Sequence, residues 1–194
     1  MGAEMRADLR FDWTIPEPTG ALDRFMGPGK SRGETAVEVV GGVVAAGLIG
    51  WFVWRTGGVT GWRLALVAVL ALDLAGGVLT NATNSAKRWY HRLPAARPRL
   101  VFVSAHVLHL AAVAAFLGGT WTWFLVNALL LLGSAVLIES MPVELRRPVA
   151  MALLMALFLI NLGWLPAVLA WFPALFYLKL LVCHLVPEAP LHDR

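Results

Sequence analysis

The chain alternates long apolar runs with short breaks that are polar or rich in glycine and proline. Residues 121–138 and 148–178 contain no Asp, Glu, Lys or Arg, whereas a helix on the surface of a soluble protein turns a charged face to water. Six stretches, at 36–54, 63–84, 99–118, 121–139, 148–165 and 167–186, each approach the ~20 residues that carry a helix across about 30 Å of hydrocarbon. The pattern predicts an all-α fold, a polytopic integral membrane helical bundle with a six-helix transmembrane domain over residues 36–186. Gly57-Gly58, Gly118-Gly119 and residues 163–166 mark turns, and Pro148 suits the first turn of the fifth helix. Pro173 falls inside the sixth stretch, so that helix either kinks there or begins there after an approach through 164–172.

Residues 1–35 lack hydrophobic periodicity and hold Pro16, Pro18 and Pro28. They predict a largely irregular N-terminal tail with at most a short interfacial segment at 21–26. Its mixed charges (Glu4, Arg6, Asp8, Arg10, Asp12) do not resemble a cleavable signal peptide. Residues 187–194 form a short C-terminal tail.

Composition supports the membrane reading: 59% of residues are hydrophobic and 14% charged, with a mean hydropathy of +0.71. The net charge of +4 does not point to nucleic acid, because the basic residues lie between apolar runs instead of forming one basic face. They act as topology signals. Of the 16 Lys and Arg, Arg6, Arg10, Arg24, Lys30, Arg32, Lys87, Arg88, Arg92, Arg97, Arg99, Arg146, Arg147 and Arg194 fall on one side of the predicted bundle, against Arg55 and Arg63 on the other. The positive-inside rule places both termini in the cytoplasm of a multi-pass protein of the cell membrane, whose constant partner is the lipid bilayer. The single cysteine, Cys183, excludes an internal disulfide and a CxxC site.

Trp51, Trp54, Trp62, Trp89, Trp121, Trp123 and Trp164 lie near predicted span ends, as interfacial belts require. Gly42, Ala46 and Gly50 form a small-residue stripe suited to packing on Gly76-Gly77 of the second span.

The informative residues are polar ones inside the spans. Asp73, Gly77, Thr80, Asn81, Asn84, Arg88 and His91 recur at three- and four-residue steps, which predicts one polar helix face about five turns long. His106 and His109 share a face of the third span one turn apart, in an otherwise apolar helix. Lys179 sits in the sixth span, where it snorkels to the interface, pairs with Asp73 or binds an anionic headgroup. Glu38, Glu139 and His184 read as solvated helix ends, and Asn161 as an interhelical hydrogen bond.

These residues suggest a membrane-embedded enzyme acting on a lipid or isoprenoid-like substrate in a cavity open to the cytoplasmic leaflet. Asp73, His106 and His109 are the acid/base candidates, and Asn81, Asn84, His91 and Lys179 the substrate-binding ones. A small proton-coupled transporter or channel, and a noncatalytic scaffold or partner subunit, are the alternatives. The absence of GxSxG, HExxH, phosphate-loop and dinucleotide signatures removes the standard hydrolase, zincin and nucleotide readings. HxxH alone is diagnostic of neither a metal nor haem, so metal and cofactor stay open.

Overall fold

A computed structural model describes residues 14–187. The charged stretch from Glu4 to Asp12 and the tail at 188–194 lie outside the described residues. Among the described residues there are nine α-helices and no strand: α1 (Ala21–Met26), α2 (Arg32–Thr56), α3 (Trp62–Ala82), α4 (Asn84–Tyr90), α5 (Arg97–Ala105), α6 (Val107–Phe116), α7 (Trp121–Ser140), α8 (Val143–Asn161) and α9 (Trp171–Tyr177). A 3₁₀ turn at Ala167–Leu169 precedes α9, which runs on into a π-helical turn, Leu178–His184. Five helices are long and apolar enough to cross a membrane: α2, α3, α5 with α6, α7, and the last helix from Ala167 to His184. The remaining long helix, α8, has 19 residues and carries Glu144, Arg146 and Arg147 near its start.

Local chemistry sets the helix ends. Ser31 and Glu34 form a reciprocal capping box at the start of α2, and Gly57, at φ +70°, closes it. Pro173 is the third residue of α9, where backbone N–H groups have no intrahelical partner. Pro173 thus marks the first turn of the α-helical part of this last span, just after its 3₁₀ turn.

Two expected helices are interrupted. Thr83 adopts an extended conformation, its hydroxyl donates to the Thr80 carbonyl and it accepts from the Ala86 N–H. It ends α3 and caps α4, so the polar face from Asp73 to His91 is not one continuous helix. At His106 the ring Nδ1 donates to the Phe102 carbonyl at 2.8 Å, the acceptor that the His106 N–H would otherwise use. That N–H turns to the Val103 carbonyl instead, and α5 passes into α6 through a tightened turn.

The last helix lies at the centre, against α3, α7 and α8, and most of it is buried, whereas the other four spans expose most of their residues. Phe172, Phe176, Tyr177 and Trp123 fill the core. On the outside of α2, Val37, Val40, Val44, Leu48 and Trp51 are exposed at three- and four-residue steps, an apolar face fit for lipid. The small-residue stripe packs only in part. A Cβ on Gly42 would lie 3.2 Å from the Gly76 Cα, but Gly50 has nothing within 4 Å and Gly77 faces Lys179.

Several residues read as interfacial or solvated are enclosed. Trp123 is buried and donates to Asn161 Oδ1 at 2.7 Å, while Trp51, Trp54, Trp62, Trp121 and Trp164 are exposed. Asn161 Nδ2 donates to Asn127 Oδ1 at 2.8 Å, and the Tyr177 hydroxyl donates to the same oxygen at 2.6 Å. The interhelical role of Asn161 is thus present and extends to a network linking α7, α8 and α9. Glu139 is buried because Arg99 grips both its oxygens (2.6 and 2.9 Å) and Arg146 reaches one at 3.1 Å. Glu38 is buried against Lys30. His184 is covered by α4 and α5: Phe102 stacks on its ring, Tyr90 meets it edge-on, and His91 Nε2 donates to its carbonyl at 3.0 Å.

Candidate functional site

Asp73 faces the central helix from the middle of α3. Its Oδ2 accepts from Lys179 Nζ at 2.6 Å and from His109 Nε2 at 2.9 Å. The carboxylate thus joins three helical elements, since Lys179 stands in the π-helical turn and His109 on α6. Lys179 is buried, whereas the Asp73 side chain keeps 40% of its surface exposed. A buried ammonium needs a partner, and the pairing fulfils that need in place of snorkelling.

Gly77 opens the route for this pair. A Cβ there would lie 2.3 Å from Lys179 Cε and 2.8 Å from its Cδ and Nζ. One turn beyond Asp73, α3 must therefore present bare backbone for the lysine to pass. The π-helical turn that carries Lys179 is a rare element, often found at functional sites.

A cavity of about 180 Å³ adjoins the pair, walled by Asp73, Lys179, Thr80, Asn81, Tyr90 and Phe102, with Gly77, Leu72, Phe25 and Met26 completing it. Leu72 is half exposed, so the cavity meets the outer face of α3. The tail segment closes one side. The Tyr90 hydroxyl donates to the Phe25 carbonyl and Trp89 Nε1 to the Arg24 carbonyl at 2.7 Å. Gly27, at φ +92°, sits where a Cβ would lie 2.5 Å from the Ser85 carbonyl oxygen. Burial pushes the Tyr90 hydroxyl up to about 12, which keeps it a donor.

The acid/base candidates converge: one oxygen of Asp73 and one nitrogen each of His106 and His109 lie within 4.8 Å of one another. The two imidazoles stack with centroids 4.9 Å apart. The histidines stand behind Asp73, while Asp73 and Lys179 form the cavity wall. Two nitrogen atoms near the cavity are buried without a hydrogen-bond partner, Asn81 Nδ2 and His109 Nδ1.

The substrate-binding candidates divide. Asn81 and Lys179 line the cavity; Asn84 and His91 do not. Asn84 lies past the break at Thr83, and His91 is tied to the His184 carbonyl. Burial is the main cause that lowers His91 to about 4, with the Arg99 charge adding to it. Tyr90, Phe102, Phe25 and Met26 were not foreseen, because only the packing of α1, α4 and α5 brings them to Asp73. A second cavity, about 230 Å³ beside Asn161 and Pro173, is lined mainly by apolar groups and carries no comparable chemistry.

The chain matches no protein-family model, no curated protein and no solved structure.

Proposed function

We propose that this protein is a membrane-embedded enzyme acting by acid/base chemistry on a lipid or isoprenoid-like substrate, whose polar end enters the cavity beside Asp73. The observation that carries this reading is the state of Asp73: one oxygen held by Lys179 and His109, the side chain still partly open to a cavity. A pair serving packing alone has no need of the opening. A cavity of about 180 Å³ admits a polar head with its first chain atoms, and the half-exposed Leu72 at its edge leaves the tail in the bilayer.

Asp73 exchanges the proton with substrate through Oδ1, which has no hydrogen-bond partner among the described residues, while Lys179 and His109 hold Oδ2. Lys179 also offers positive charge to an anionic or oxygen-rich head. Asn81 Nδ2, buried and unpartnered, supplies a donor that a substrate oxygen would satisfy. Transport is the weaker reading, because Asn127, Asn161, Tyr177 and Trp123 bond to one another and do not extend a polar path from Asp73.

The proposed topology has six spans, N-in and C-in, with the cavity on the cytoplasmic side. The basic segments at 24–32, 87–99 and 146–147 support it. So does α8, whose charged start is anchored by Arg146 on the Glu139 carbonyl at 2.9 Å, leaving the rest of the helix apolar. Native mass spectrometry of gently extracted protein tests the site. Wild type should retain a lipid that Asp73→Asn and Lys179→Met lose while remaining folded; equal retention in all three would refute the assignment.

A further inference from the structure

We infer that Asp73, His106 and His109 form a binding site for a divalent first-row transition ion of the zinc class. Three ligand groups of two types suited to such an ion converge within 4.8 Å, and bonds of about 2.0–2.2 Å in a tetrahedral site hold ligand atoms roughly 3.3–3.6 Å apart, so the side chains close by about 1 Å around the ion. Two imidazoles and one carboxylate leave a coordination position open, and Asp73 stands in the cavity wall. That is the donor set of a catalytic zinc site, and an all-oxygen cage for calcium or magnesium is not present in it.

The orientation of His106 is the independent observation. Its Nδ1 donates to the Phe102 carbonyl at 2.8 Å, so the neutral ring carries its lone pair on Nε2. A backbone carbonyl that fixes the tautomer in this way is the usual outer support of a metal-bound histidine. The same bond breaks the helix at His106 and sets its ring parallel to that of His109, with 16° between the planes. His109 Nδ1 is buried without a partner, so its ring is not locked into one tautomer by a second hydrogen bond. It can hold the ion through Nε2 after the proton shifts to Nδ1.

Lys179 competes with the ion. Its ammonium holds Asp73 Oδ2 at 2.6 Å, and a cation bound through the same carboxylate would be repelled by it. Ion binding therefore draws Asp73 toward the histidines and turns Lys179 into the cavity. Removing the lysine charge should tighten binding, an outcome opposite to its expected effect on lipid retention. The ion site does not depend on the lipid reading, and the two can fail separately.

The test is cobalt(II) titration of the chelator-stripped full chain in nanodiscs, read by visible absorption and by bound metal after dialysis. Wild type should take up about one ion per chain with the spectrum of a four- or five-coordinate site. His106→Gln should weaken binding by about 10-fold or more, and Lys179→Met should bind at least as tightly as wild type. No retained ion in the wild type would overturn the site. Binding unchanged by His106→Gln would overturn it equally, as would binding lost in folded Lys179→Met.

Discussion

Lys179 reaches Asp73 across the backbone of Gly77, and the 2.6 Å contact between Nζ and Oδ2 requires that α3 carry no side chain there. A lysine on one helix, an aspartate on another and a glycine between them form one unit.

Gly77→Ala should therefore break the pair. The added Cβ would lie 2.3 Å from Lys179 Cε, and leaving one charge of a fully buried pair without its partner costs about 3–5 kcal/mol, an upper bound here because Asp73 is partly exposed. The lysine tail can relax, so a loss toward the lower end is expected in thermal unfolding, together with lost lipid retention. Gly76→Ala is the control, since a Cβ on Gly76 meets nothing within 4 Å. It should stay within about 0.5 kcal/mol of wild type.

The Arg99–Glu139 pair gives a second test. Glu139→Ala leaves Arg99 buried without its bidentate partner and should cost about 3–5 kcal/mol. The double variant Arg99→Met with Glu139→Met should recover much of that loss, because replacing both charges removes the desolvation cost as well. Thermal unfolding of both proteins in the same detergent checks the order.

Acid should destabilise the fold through His91. Burial lowers its folded-state value to about 4, against an ordinary 6.5. Above pH 6.5 the ring is neutral in both folded and unfolded chains and costs nothing. Between 6.5 and 4 the unfolded chain takes up a proton that the folded one resists, so stability falls as pH falls through that window. Lys87 and Arg99 add to the resistance, and Glu139 opposes it. His91→Asn should flatten this part of the stability profile in equilibrium unfolding between pH 7 and 4.

Asn161→Ala should cost about 1–3 kcal/mol, because it strips the partner from Trp123 Nε1 and one donor from Asn127. It should leave lipid retention at the Asp73 cavity intact. A drop in retention equal to that of Asp73→Asn would tie the two regions together and contradict their separation.

Much of the architecture was legible in the sequence, because a membrane span declares itself by length and apolarity, and five helices meet that description. The residues around Asp73 were legible for a related reason: a charge or histidine in an apolar run requires a partner, which made the Asp73–Lys179 contact one of three outcomes for Lys179. Helix breaks were not. Thr83 ends α3 through side-chain bonds to neighbouring backbone, and His106 breaks its span by taking the Phe102 carbonyl. Both compete with a periodicity that continues past them. Nor could the enclosure of Glu139 and His184 be read from position, since Arg99, Tyr90 and Phe102 cover them only after the helices pack.

The most direct test of the central claim is lipid turnover. Wild-type and Asp73→Asn protein, each reconstituted into vesicles of total membrane lipid extract, are incubated and their lipids compared by mass spectrometry. Wild type should deplete one lipid class and form a product of altered mass, and Asp73→Asn should do neither. Identical lipid profiles from the two proteins, both folded and both inserted, would contradict the central claim.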